Sequence, residues 1–88
     1  MKLKYEFAVR EIMDDYILVP MGEAALAFSS MITTSEVGAF LCGQLRKDVT
    51  REELLAKVLE EYDVDSQTAQ ADLDEFLGQL RQMELLED

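Results

Sequence analysis

Nineteen carboxylates, one thiol and no histidine set the chemical repertoire of this 88-residue chain. Without histidine it lacks the commonest general base, the commonest switch near neutral pH and the commonest transition-metal ligand. Cys42 stands alone, so it has neither a disulfide partner nor a second thiolate with which to build a metal cluster. Carboxylates by themselves could work as an acid–base pair or hold Mg²⁺. Here, however, their spacing shows no nucleophile–base constellation, and no phosphate loop accompanies them. The chain is therefore read as non-catalytic and free of cofactors.

One serine needs separate weighing. Ser66, at the start of a helix, is where a small acidic carrier protein would bear phosphopantetheine. Asp65-Ser66-Gln67 lacks the glycine and the leucine of the usual Gly-x-Asp-Ser-Leu context, and carrier domains have no N-terminal strands. That reading is set aside.

The net charge of −11 is uneven. Residues 1–47 are nearly balanced, whereas residues 48–88 set three basic side chains (Arg51, Lys57, Arg81) against thirteen acidic ones. A nucleic-acid surface needs Lys and Arg to displace the counterions of phosphate. This distribution does the opposite, so no nucleic-acid partner is expected, and most of the acid serves solubility.

The elements that would position a site follow from patterning. The length suits one domain over 1–88, and 49% apolar composition is that of a globular chain. The longest apolar runs, Tyr16–Val19 and Ala24–Phe28, fall far short of a membrane span. The opening Met1-Lys2-Leu3-Lys4-Tyr5-Glu6 has no apolar stretch after it and no small-residue cleavage site, so no signal peptide and a cytoplasmic location are expected.

Strands come first. Phe7–Ile12 alternates weakly, Asp14-Asp15 marks a turn, and Tyr16–Val19 is aromatic and β-branched and stops at Pro20. Met21-Gly22-Glu23 reads as a second turn. Ala24–Phe28, before the Ser29-Ser30 break, reads as a third strand on position rather than propensity, completing an antiparallel meander. Helices follow, each with a start signal. Ser35 caps a helix through Val37, Phe40, Leu41 and Leu45. Thr50 and Glu53 form a capping box, with Val49 and Leu54 as its staple. Asp65 caps a third helix, Ser66–Met83, whose stripe of Ala69, Leu73, Phe76, Leu77 and Leu80 has clean three–four spacing.

The predicted fold is α+β and winged-helix-like: an N-terminal three-stranded antiparallel sheet followed by three helices. The apolar stripes are read as core. As a DNA-recognition helix the third would fail, because Asp72, Asp74 and Glu75 outnumber Arg81.

An ordered set of residues running nearly end to end resembles the PqqD family, the precursor-peptide recognition elements of modified-peptide biosynthesis. It comprises Val9-Arg10-Glu11-Ile12, Tyr16-Ile17-Leu18-Val19-Pro20, Gly22-Glu23-Ala24-Ala25-Leu26 with Phe28, and Met31-Ile32-Thr33 with Glu36. It continues with Gly38-Ala39-Phe40-Leu41, Glu52-Glu53-Leu54, Glu61-Tyr62-Asp63-Val64-Asp65, Ala69, Ala71-Asp72-Leu73, Phe76-Leu77, Leu80 and Leu85-Leu86.

The resemblance implies a non-catalytic module that binds the leader of a ribosomally made precursor peptide. It would present that peptide to a modifying enzyme, often a radical S-adenosylmethionine enzyme. In the family the leader adds beside the third strand and lies against the third helix. Carried over, the peptide-binding residues would be Ala25, Leu26, Ala27, Phe28 and Ser29 along the strand. Gln70, Leu73, Asp74, Leu77 and Arg81 would supply the helix. Ala25 and Ala27 would keep one side of that strand small and leave room beside it. A small acidic adaptor or regulatory subunit for a protein partner is the alternative reading.

Three positions depart from the family pattern. Cys42 stands where relatives often carry a large aromatic residue. Ser29-Ser30 replaces an Asn-Gly-like turn. Met83-Glu84 replaces a small residue and glycine, so the third helix is expected to run on or fray.

Overall fold

A computed structural model describes residues 1–27 and 31–87. Strand β1 (Lys2–Leu3) precedes a hairpin of β2 (Phe7–Ile12) and β3 (Asp15–Pro20). The short helix α1 (Glu23–Ala27) leads on to β4 (Ile32–Thr34). Three longer helices follow, α2 (Glu36–Gln44), α3 (Arg51–Glu61) and α4 (Ser66–Gln82), and β5 (Leu86–Glu87) closes the order.

The hairpin pairs Phe7 with Pro20 and Ile12 with Asp15, so only Met13 and Asp14 connect the strands. Met13, not an aspartate, takes the left-handed conformation there, at φ 58°. β4 pairs antiparallel with β3, Leu18 against Ile32 and Tyr16 against Thr34, giving a sheet in the order β2-β3-β4. A second, two-stranded sheet joins β1 to β5 and so brings the two ends of the chain together. The Met1 ammonium donates 2.7 Å bonds to Asp48 and to the Val49 carbonyl, which ties this clasp to the loop before α3.

The three-stranded sheet and the three following helices agree with the sequence reading, but the third strand lies elsewhere. Residues 24–27 form helix α1 instead of a strand, and Phe28 lies outside the described residues. Glu23-Ala24-Ala25-Leu26-Ala27 is built from strong helix formers, with an acid in the first turn. Gly22, at φ 56°, turns the chain into it, and the Ala25 N–H bonds back to the Gly22 carbonyl at 3.1 Å. The strand forms later, where Ile32-Thr33-Thr34 supplies a β-branched run.

The three long helices start where their caps dictate. The Ser35 hydroxyl accepts from the Gly38 N–H at 3.1 Å. Thr50 and Glu53 exchange both capping-box bonds, at 3.0 and 3.1 Å. Asp65 accepts from the Thr68 N–H at 2.6 Å, which holds its carboxyl below the usual range. α4 neither runs on nor frays. It ends at Gln82, and Glu84 takes the left-handed position at φ 58° without glycine. The Leu85 N–H then reaches the Leu80 carbonyl at 2.9 Å, and both side chains are buried. Burial of Leu85 offsets the strain of a left-handed Glu.

One apolar core joins the layers: Phe7, Leu18 and Ile32 from the sheet, Leu41, Cys42 and Leu45 from α2, and Leu54 and Val58 from α3. α4 supplies the largest share through Ala69, Leu73, Phe76, Leu77 and Leu80. The predicted stripe is thus the buried face of α4.

Candidate functional site

β4 is the edge of the three-stranded sheet, and among the described residues no strand pairs with its outer side. In an antiparallel strand the N–H and C=O of one residue point to the same side, and successive residues alternate. β4 therefore offers outward either both groups of Thr33 or those of Ile32 and Thr34. Unpaired backbone of this kind is a ready template for another strand.

What holds β4 in position is a close approach to α2. Gly38, buried in the first turn of that helix, faces the Thr34 side chain. A methyl group there would overlap the Thr34 Oγ1 and lie 3.2 Å from Phe76 Cδ1. Glycine is needed at this point because three elements, β4, α2 and α4, converge on it. The need is one of space and not of backbone angle.

Beyond this junction β4 and α4 separate, leaving a cleft of about 580 Å³. Thr33 and Thr34 of the edge strand, with Ser35, Glu36 and Val37 at the start of α2, form one wall. Asp72, Glu75, Phe76 and Gln79 of α4 form the other. Their spacing is that of a single helix face. Phe76 is the border residue: it is 5% exposed, belongs to the core and also floors the cleft.

The electrostatics of the cleft are one-sided. Glu36, Asp72 and Glu75 line it, and no Lys or Arg does. Glu36 is steadied at one end, where the Tyr16 hydroxyl donates to its Oε1 at 3.3 Å. Partial desolvation, reinforced by the Glu11 and Glu36 carboxylates, pushes the Tyr16 phenol above its usual pKa. Desolvation, with Glu36 again nearby, pushes up Tyr62, which packs edge-on against Phe40 at 5.6 Å. Glu36 also sits in the first turn of α2, where the helix dipole favours a carboxylate.

Reactive chemistry is not built here. Among the described residues no group of His, Cys, Asp or Glu is placed to hold a metal ion. The Cys42 thiol is buried in the core, which pushes its pKa up to about 11 despite the pull of Arg46, and it does not reach the cleft. A thiol so placed is protonated and inert near neutral pH. The arrangement can bind an extended chain, through backbone at the edge and side chains in the cleft.

The residues singled out from the sequence fall differently. Ala25, Leu26 and Ala27 lie on α1, with Leu26 fully outward at 91% exposure, and they form no sheet edge. Phe28 and Ser29 lie outside the described residues. Leu73 and Leu77 are 0% and 1% exposed and present no surface to a ligand. Asp74 grips Arg51 through two bonds of 2.8 and 2.9 Å, which holds its carboxyl below the usual range. Gln70 Nε2 donates to Ser66 Oγ at 3.1 Å.

Stepping about 100° per residue around α4, Gln70, Asp74 and Arg81 flank the buried stripe on one side, and Asp72, Glu75 and Gln79 flank it on the other. The cleft lies along the second flank. The helix residues expected from the sequence, Gln70, Asp74 and Arg81, thus lie on the flank opposite the cleft, and Thr33, Thr34, Glu36 and Gln79, which line it, were not among the expected site residues. The signal for the edge strand was present in the β-branched Ile32-Thr33-Thr34. No local signal marks the flank.

The profile of the family described as "Coenzyme PQQ synthesis protein D (PqqD)" matches residues 16–86, which run from β3 through α4 to the start of β5. Among solved structures the chain is similar to "TbiB1 in Complex with the TbiA(beta) Leader Peptide". The match has a TM-score of 0.68 and 28% identity, over 99% of this chain and 95% of that one. No curated protein matches the chain.

Proposed function

The chain belongs to the PqqD family, whose members are non-catalytic binding modules, and from that premise we propose that it captures the leader of a ribosomally made precursor peptide by strand addition to β4. The observation that carries the reading is the open edge of β4 beside the α4 cleft, in a fold shared with a protein solved bound to a leader peptide. The leader adds as a fourth strand and satisfies the outward backbone groups, and alternate side chains enter the cleft over Phe76. Micromolar affinity requires about −8 kcal/mol, which a short strand with two or three anchors supplies. The captured peptide is presented to a modifying enzyme of the radical S-adenosylmethionine type in the cytoplasm, the role expected of a PqqD-family module.

Strand addition is tested on β4, not at residues 25–29 as the sequence suggested. Proline removes a backbone N–H and fixes φ. Ile32→Pro, Thr33→Pro and Thr34→Pro are compared by calorimetry with a synthetic leader, taken from any short precursor reading frame found beside this gene, after circular dichroism establishes which variants fold. Loss of binding in a folded variant whose N–H points outward is the expected result, with Thr33→Val close to wild type. Wild-type affinity in every folded proline variant would refute strand addition. The enzyme partner is tested by co-purification with a radical S-adenosylmethionine enzyme encoded near this gene; absence of such an enzyme, or two separate peaks on size exclusion with leader present, would remove that half of the proposal.

A further inference from the structure

Resting on the strand-addition reading, we propose that the peptide this cleft accepts is basic, with Lys or Arg among the side chains that point inward from the added strand.

Three carboxylates, Glu36, Asp72 and Glu75, line the cleft with no cation among its walls. Asp72 and Glu75 have no ion-pair partner among the described residues, in contrast to Asp74, which lies on the same helix and is held by Arg51. The nearest cationic residue of α4 in sequence, Arg81, projects from the opposite flank. The remaining lining is an apolar floor, Phe76 and Val37, with neutral donors and acceptors from Thr33, Thr34, Ser35 and Gln79.

An inward carboxylate on the peptide would meet like charge on both walls and lose its hydration. An inward Lys or Arg would lay its aliphatic stem on Phe76 and carry its charged head to Asp72 or Glu75. Side chains of a strand alternate, with same-side neighbours about 6.8 Å apart. Asp72, Glu75 and Gln79 cover about 10 Å of helix, so two inward side chains fit along the wall. The acidity here thus acts as a filter on sequence and not only as a solubilising coat.

The experiment selects a random twelve-residue peptide display library on the whole protein. It is run in parallel on the charge-neutral pair Asp72→Asn with Glu75→Gln, which are exposed positions outside the core. The wild type is expected to enrich peptides with Lys or Arg at alternate positions. Their affinity should fall roughly tenfold on the neutral variant and as salt is raised to about 0.5 M. Enrichment of peptides with no basic preference, or equal affinity for both proteins, would overturn the charge inference and leave strand addition standing. Failure to enrich any peptide would sink both.

Discussion

The two flanks of α4 are made of similar material and do different work. Gln70 and Asp74 on one flank meet Ser66 and Arg51, so their polar groups are used inside the domain. Asp72, Glu75 and Gln79 on the other flank face a cleft, because the strand opposite is only three residues long and stands away from the helix. The buried stripe between them is common to both. Composition therefore did not make one flank structural and the other available. The neighbour did: α3 closes one side, and β4 leaves the other open.

The strongest test acts where the stripe meets the open flank. Phe76→Ala removes a core ring that is also the cleft floor, and a loss of about 3–5 kcal/mol is expected, enough to consume much of the stability of a domain this size. Thermal denaturation followed by circular dichroism reads it; an unchanged melting temperature would separate the floor from the core and undo the comparison.

Gly38→Ala comes next. Its methyl would push on Thr34 and Phe76 together, so a stability loss of about 1–3 kcal/mol is expected, with weaker leader binding in the protein that remains folded. A fully stable Gly38→Ala protein with intact binding would show that β4 does not depend on this close approach.

The flanks themselves separate by charge and by pH. Asp72→Asn with Glu75→Gln should change binding and leave the melting temperature alone, whereas Asp74→Asn should do the reverse. Arg51 holds the Asp74 carboxyl below its ordinary value. Its contribution to folding is therefore complete above about pH 4, the usual carboxylate value, and is lost as pH falls through the lowered one. Asp74→Asn should accordingly narrow its gap to wild type in acid titrations below pH 4; a gap that persists unchanged there would dissociate the pair from stability.

The smallest effect expected is a gain. Gly78, also on α4, has nothing within 4 Å of where a Cβ would stand, so Gly78→Ala should stabilise the helix by about 0.5–1 kcal/mol without touching the cleft. A loss of stability there would mean that this part of α4 packs more tightly than its open surroundings imply.

What could be read in the sequence was what is local. Ser35, Thr50 with Glu53, and Asp65 announced their helices because a cap is made by residues three apart, and the α4 stripe was visible because burial imposes its period directly. The third strand forms at Ile32–Thr34 and not at Ala24–Phe28 because the helix propensity of Ala24–Ala27 outweighs their position between two turns. The flank was illegible for a different reason. A helix with one buried stripe has two sides, and nothing in Gln70, Asp72, Asp74 or Glu75 says which neighbour stands beside it. The end of α4 was likewise set from a distance, since a glutamate takes the left-handed position only because Leu85 has a core to enter.

The brevity of β4 also sets a clock. Three residues expose at most two with outward backbone groups, so the edge itself supplies only a few hydrogen bonds to a guest. At micromolar affinity and an ordinary association rate of about 10⁵–10⁷ M⁻¹ s⁻¹, such a complex lasts about 0.1–10 s. If strand addition takes place here, so short an edge would let each peptide leave by itself, and a few copies of the module could serve many peptides in turn.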